Sequence, residues 1–143
     1  MKINDVIHAK PTQSVVTISP DATVRELVAL LAEHNVGALV VSQDGERVSG
    51  IVSERDVVRR LHDDEAVLDS PVSAIMTSEV RTCAAEDGLT DLMQTMTEHR
   101  IRHVPVVAGE RLTGIISIGD VVKSRIGELE FERDQLDSYV HRT

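Results

Sequence analysis

The chain has 143 residues, 41% of them hydrophobic, yet its only aromatic residues are Phe131 and Tyr139. That is enough apolar material for one domain, or for two half-sized lobes around an aliphatic core. A net charge of −9, with no basic stripe and no interleaved aromatics, argues against a nucleic-acid partner, and a lone cysteine, Cys83, excludes an internal disulfide.

In chain order, an extended piece over residues 15–18 leads into a helix whose apolar stripe is Val24, Leu27, Val28 and Leu31. Thr23 with Glu26 has the spacing of a capping box at its start, and Gly37 lies just past its end. Two apolar strands follow, over residues 38–42 and 47–52, with Asp44-Gly45 as the hairpin signal between them. A second helix is expected over 53–61, and the acidic stretch 63–70 reads as a linker. The order then recurs: an extended piece at 80–83, a helix with Leu89, Leu92, Met93 and Met96 on one face, strands at 103–107 and 111–116, and a helix over 117–126. Beyond it, Ile126, Leu129, Arg133, Leu136 and Val140 make a short amphipathic seam, too brief for a free coiled coil and expected to pack on the same chain or across a dimer.

The recurrence is an internal duplication. Glu33-His34-Asn35-Val36 matches Glu98-His99-Arg100-Ile101, and Glu46-Arg47-Val48-Ser49-Gly50-Ile51-Val52-Ser53 matches Glu110-Arg111-Leu112-Thr113-Gly114-Ile115-Ile116-Ser117. The one-residue length change falls in the hairpin loop, where it is best tolerated. One copy alone is marginal in size, so two copies are expected to pack together with pseudo-twofold symmetry. The expected fold is α+β: two βαββα repeats, over 1–66 and 67–127, and a C-terminal helical extension over 128–143.

The motifs Gly-Ile-Val-Ser-Glu-Arg-Asp at 50–56 and Gly-Ile-Ile-Ser-Ile-Gly-Asp at 114–120 resemble those of the cystathionine β-synthase-type (CBS) domain. So do Ile75-Met76-Thr77 before the second copy and Arg102-His103-Val104-Pro105-Val106 within it. The tandem looks like a Bateman module of the stand-alone bacterial type. The resemblance implies clefts that bind adenosine-containing ligands such as AMP, ADP, ATP, NAD or S-adenosylmethionine, and modules paired as a homodimer. It implies a regulatory ligand rather than an obligatory cofactor, and no catalytic activity.

Ser53 to Asp56 and Ser117 to Asp120, with Ile118 inside the second motif, sit where a strand becomes a helix. The free N–H groups there suit a phosphate or sugar, and a carboxylate three residues on can accept both hydroxyls of a ribose. Ser-x-x-Asp is equally the pattern of a capping box. Arg55 beside Asp56 suits a phosphate or is a solvated charge; Arg102 and His103, which replace Gly37 and Ala38 of the first copy, suit a phosphate or a base edge or are a strand-end pair. Thr17 and Thr82 precede the first helix of each copy, and in the family backbone near this point holds the adenine edge. Ile18, Met76 and Val80 are candidates to sandwich the ring, with core packing as the alternative. The first copy carries Val40 where the second has Pro105, and four more residues before its threonine, so the second site is expected to be the better formed, with Lys10 a possible phosphate partner in the first. The histidine spacing does not fit a metal site, Cys83 reads as buried and inert, and no nucleophile elbow, Walker loop or dinucleotide fingerprint is present. With no apolar span or leader, the cytoplasm is the default location. A scaffold that binds partners without nucleotide is the competing reading, and the identity of any regulated protein is open.

Overall fold

A computed structural model describes residues 1–10 and 15–141. Its elements run α1 (Ile3–His8), β1 (Thr17–Ile18), α2 (Val24–His34), β2 (Ala38–Val41), β3 (Gly50–Ser53), α3 (Glu54–Asp63), α4 (Leu89–His99), β4 (His103–Ala108), β5 (Arg111–Ser117) and α5 (Ile118–Val140). A 3-10 turn, Glu65–Asp69, lies in the linker, and a second, Val72–Ala74, follows it. The fold is the expected pair of mixed α and β repeats. No helix among the described residues is long and apolar enough to cross a membrane.

In the first repeat β2 lies between β1, which is parallel to it, and β3, which is antiparallel. The second repeat keeps this register, but its first strand shrinks to one parallel bridge between Cys83 and Val106. Cys83 N–H donates to Pro105 O and Val107 N–H donates to Cys83 O, at 3.0 and 2.9 Å. The next rung would need an N–H from Pro105, which has none, so the ladder stops there. A register shift after Val106 leaves Thr113 as the extra residue of β5, its hydroxyl donating to Val106 O at 3.2 Å.

The helices obey their sequence signals with two corrections. Thr23 and Glu26 form the expected capping box on α2. The left-handed residue ending that helix is Asn35 (φ 52°) rather than Gly37, and Arg100 (φ 53°) takes the same role in α4. Asparagine tolerates this conformation better than most side chains, so the arginine at the matched position carries more strain. Val28, placed on the apolar stripe by its spacing, is 41% exposed; the buried stripe is Val24, Leu27 and Leu31. The expected C-terminal helix is present, as the continuation of α5, which runs 23 residues. Ile126, Leu129, Leu136 and Val140 are exposed along it, so this part does not pack on its own chain.

Each core is completed by a segment that precedes the other repeat. Ile3 and Val6 of α1 are buried with Leu89, Leu92 and Met96 of the second repeat. Val67, Val72 and Ile75, which precede the second repeat, are buried with Leu27, Leu39 and Val52 of the first. The backbone exchange is symmetric, with bridges Lys2–Gly88 and Thr23–Pro71. Leu89 N–H donates to Met1 O at 3.0 Å and Val24 N–H to Ser70 O at 2.9 Å. The hairpin tips also meet: Leu112 N–H donates to Glu46 O at 2.6 Å and Arg47 pairs with Glu110 at 3.3 Å.

Ile3 is fully buried in the second repeat's core. Ile3→Ala is expected to cost about 3 kcal/mol of unfolding free energy by urea titration. Hydrogen exchange in the same variant should show protection lost first in α4 and β4, far along the chain, rather than in the neighbouring β1.

Candidate functional site

The two Ser-x-x-Asp motifs are built alike. Backbone leaving β3 or β5 turns into α3 or α5 at a serine with extended φ and ψ, which is the N-cap of the helix. Ser53 Oγ accepts from Asp56 N–H at 3.3 Å, and Asp56 Oδ2 accepts from Ser53 N–H at 2.8 Å. Ser117 and Asp120 repeat this at 3.1 and 2.9 Å. Both motifs are therefore capping boxes. The box uses Oδ2 in each case, and among the described residues no hydrogen bond falls on Oδ1 of either carboxylate. A half-buried carboxylate with one oxygen fixed and one available sits at each of two helix N-termini, where the dipole favours negative or hydroxyl-rich ligands.

The exchange of segments redistributes the candidate residues. Lys10, expected beside the first site, instead reaches the second: its Nζ lies 3.0 Å from Asp120 Oδ2 and donates to Ile115 O at 2.9 Å. The Lys10 and Asp120 side chains are 26% and 23% exposed. Met76, expected in the second site, lies instead against β3 of the first repeat. A Cβ at Gly50 would stand 2.7 Å from its sulfur and 2.8 Å from Thr77 O, so only glycine fits there. Asp56 has no cationic partner among the described residues.

The remaining candidates stay with their own repeat. Thr17 pairs with Val40 and Ala38 with Ser53, which puts both on the sheet that ends at Asp56, and Ile18 is buried in the core below. His103 pairs with Ser117 and Pro105 with Ile115, on the hairpin that ends at Asp120. Thr82 is exposed beside Cys83 and Val80 is half-buried before it. Ile118 is exposed at the start of α5, its N–H donating to Arg102 O at 2.8 Å. Arg55 and Arg102 are exposed side chains without an ion pair among the described residues.

Glu54 was not singled out by the sequence. Gly37 lies between Glu54 and the His103 ring, each 3.5 Å from where its Cβ would stand, so an acid of the first repeat lies near an imidazole of the second and acts on its charge. Its signal was weak because the matched residue, Ile118, is apolar.

Electrostatics separate the two sites further. Burial by itself would raise the Asp120 carboxyl, but the Ser117 N–H, the Lys10 ammonium and the Ser117 hydroxyl outweigh it and hold Asp120 below the usual carboxylate range. Burial lowers the His103 imidazole, aided by Lys10 and Arg102, and only partly opposed by Asp120 and Glu54. Burial, with Asp87 nearby, pushes the Cys83 thiol up to about 12, so it stays protonated and unreactive at neutral pH. The described residues contain no cluster of three or more side chains suited to a metal ion.

Comparison with known proteins gives one family. The CBS domain matches residues 3–63 and again 72–127. The CBS domain-containing protein CBSX3, mitochondrial, of Arabidopsis thaliana is 36% identical over 146 residues, covering 96% of this chain and 71% of that protein. Among solved structures, a signal-transduction protein with CBS domains from Burkholderia ambifaria superposes with a TM-score of 0.83 at 38% identity, covering 89% of this chain and 95% of that one. The CBS domain pair of protein MJ0100, solved with 5′-methylthioadenosine and S-adenosyl-L-methionine, superposes with a TM-score of 0.80 at 21% identity, covering 90% and 98%. At that identity it is a likeness of fold.

Two measurements check these electrostatics. Because the folded protein holds His103 below its ordinary value of 6.5, the unfolded chain binds more protons as pH falls through that value. Stability is therefore expected to drop between pH 7 and pH 5, and the drop should shrink in His103→Gln. Cys83 is expected to resist a thiol reagent at pH 8 until the protein is unfolded, after which it should react at once.

Proposed function

Because this chain belongs to the CBS-domain family, we propose that it is a non-catalytic regulatory module that binds adenine nucleotides, of the AMP, ADP, ATP or NAD class, between its two repeats. The observation that carries the reading is the pair of half-buried carboxylates, Asp56 and Asp120, each at a helix N-terminus with one oxygen engaged in the capping box and the other available. A ribose diol is the natural occupant of such a carboxylate, and the helix N–H groups and dipole favour the phosphate. In support, a CBS pair of the same fold holds two adenosine-containing ligands. Thr17, Ile18, Ala38, Ser53, Arg55 and Met76 would serve the first site. Lys10, Val80, Thr82, Arg102, His103, Pro105, Ser117 and Ile118 would serve the second.

Signalling would follow from the exchange of segments. A ligand that bears on the residues leading out of α1 or into β1 bears on both cores at once, provided it prefers one arrangement of the repeats. We place the readout in a homodimer, since Val58 on α3 and Val122 on α5 are exposed at matched positions, 65% and 48% respectively. We take the cytoplasm as its compartment, a reducing environment that suits a chain with a single cysteine. A regulated protein partner would read the dimer. A scaffold without ligand is the competing reading, and the two differ in a direct test.

Calorimetric titration with AMP, ATP and NAD is the experiment. Asp120→Asn and Asp56→Asn keep the capping acceptor, so each should fold normally while weakening its own site by about tenfold or more. Binding that survives both changes undiminished would show that the carboxylates are helix caps alone.

A further inference from the structure

The site around Asp120 differs from its twin in one respect that bears on which ligand it accepts. Lys10 stands on the carboxylate itself, 3.0 Å from Asp120 Oδ2, and is held there by a second bond of 2.9 Å to Ile115 O. The lysine comes from the residues that follow α1, the segment whose Ile3 and Val6 close the second core. Asp56, in the first repeat, has Ser53 as its one side-chain partner among the described residues. The asymmetry is therefore built by the segment exchange and not by the duplicated motif.

We infer that Lys10 makes the second site selective for adenosine ligands that carry an anionic 5′ group, a selectivity the first site lacks at its carboxylate. The inference rests on the nucleotide-binding reading above and deepens it. A ribose diol set bidentate on Asp120 places one hydroxyl on the open Oδ1 and the other on Oδ2, whose two acceptor positions are already taken by the Ser117 N–H and Lys10, so the second hydroxyl displaces the lysine. A neutral ligand, such as the free nucleoside, gives the half-buried ammonium nothing in return, and an ammonium left without its anion away from bulk water is penalised. A phosphate supplies the replacement. An ammonium has three donors. Lys10 can therefore keep its bond to Ile115 O as a pivot while one of the others moves from carboxylate to phosphate.

Movement of this kind has a structural consequence. Lys10 is two residues beyond α1, so a shift of its head group pulls on the segment that completes the second core. In the unliganded protein the pair with Asp120 acts as a latch on that segment. An anionic ligand releases it, and a neutral one has to break it without compensation.

The test is calorimetric titration of the full-length chain with AMP and with adenosine, in an Asp56→Asn background so that one ribose carboxylate remains. AMP is expected to bind more tightly than adenosine by about tenfold or more, the size of one charge-assisted hydrogen bond. In Lys10→Met the preference should collapse to within about threefold, with adenosine binding at least as well as before, because the latch it had to break is gone. Lys10→Arg, which keeps the charge and the reach, should retain most of the preference and controls for any loss of folding in the methionine variant. Equal binding of AMP and adenosine by the parent, or a preference that survives Lys10→Met, would overturn the role of Lys10 and leave the adenosine site standing. No binding of AMP or adenosine by any variant would overturn this inference, and no binding of ATP or NAD by the parent as well would remove the nucleotide reading.

Discussion

Neither repeat of this protein closes its own core. Ile3 and Val6 are buried against α4 and β4, while Val72 and Ile75 are buried against α2 and β2, and the backbone seals each crossing with an isolated bridge. A βαββα unit of this size is close to the limit at which burial outweighs chain entropy. The borrowed turn supplies side chains such as Ile3, Val6, Val72 and Ile75, each contributing about 1.5–3 kcal/mol when fully buried. The two halves are therefore bound to fold together. Everything that follows, from the pseudo-twofold arrangement to the make-up of the two sites, depends on that crossing.

The same crossing explains how one duplicated motif gives two unlike sites. Ser53–Asp56 and Ser117–Asp120 form the same capping box because the local rule is the same: a serine in extended conformation accepts from the N–H three residues on, and the carboxylate returns the bond. What stands over each box comes from elsewhere in the chain. The segment after α1 brings a lysine to Asp120, and the segment after the linker brings Met76 and Thr77 to β3 beside Gly50. Duplication preserved the frame, and the unlike lead-in segments set the electrostatics.

Capping and ligand binding are not rival assignments for these residues. A carboxylate has two oxygens with room for several donors, and the helix terminus occupies one of them. The box orients the side chain and fixes its rotamer, which is the preorganisation a ribose contact requires. At Asp120 the cap and the lysine together keep the group ionised, and at His103 burial keeps the ring neutral, so acid and imidazole close to one another stay in fixed charge states near neutral pH.

Much of this was legible in the sequence, and for local reasons. The period of Val24, Leu27 and Leu31, the Thr23/Glu26 box, the Asp44-Gly45 turn and the twin Ser-x-x-Asp motifs all depend on residues within a few positions of one another, so spacing alone reveals them. The duplication was visible because both copies keep those local rules. Two things were decided only in the tertiary structure. Asn35 and Arg100, not Gly37, end their helices, because the helix gives out where the following strand must begin and side-chain type only biases that point. Lys10 and Met76 lie in the opposite repeats from those expected, because linear order assigns a segment to the copy it precedes, whereas burial of Ile3 and Val72 assigns it to the core with room for it. Hydrogen-bond and helix rules act at short range along the chain and leave a written pattern. The choice of which core a short apolar turn completes is made by packing across the molecule, and the sequence records only that the turn is apolar.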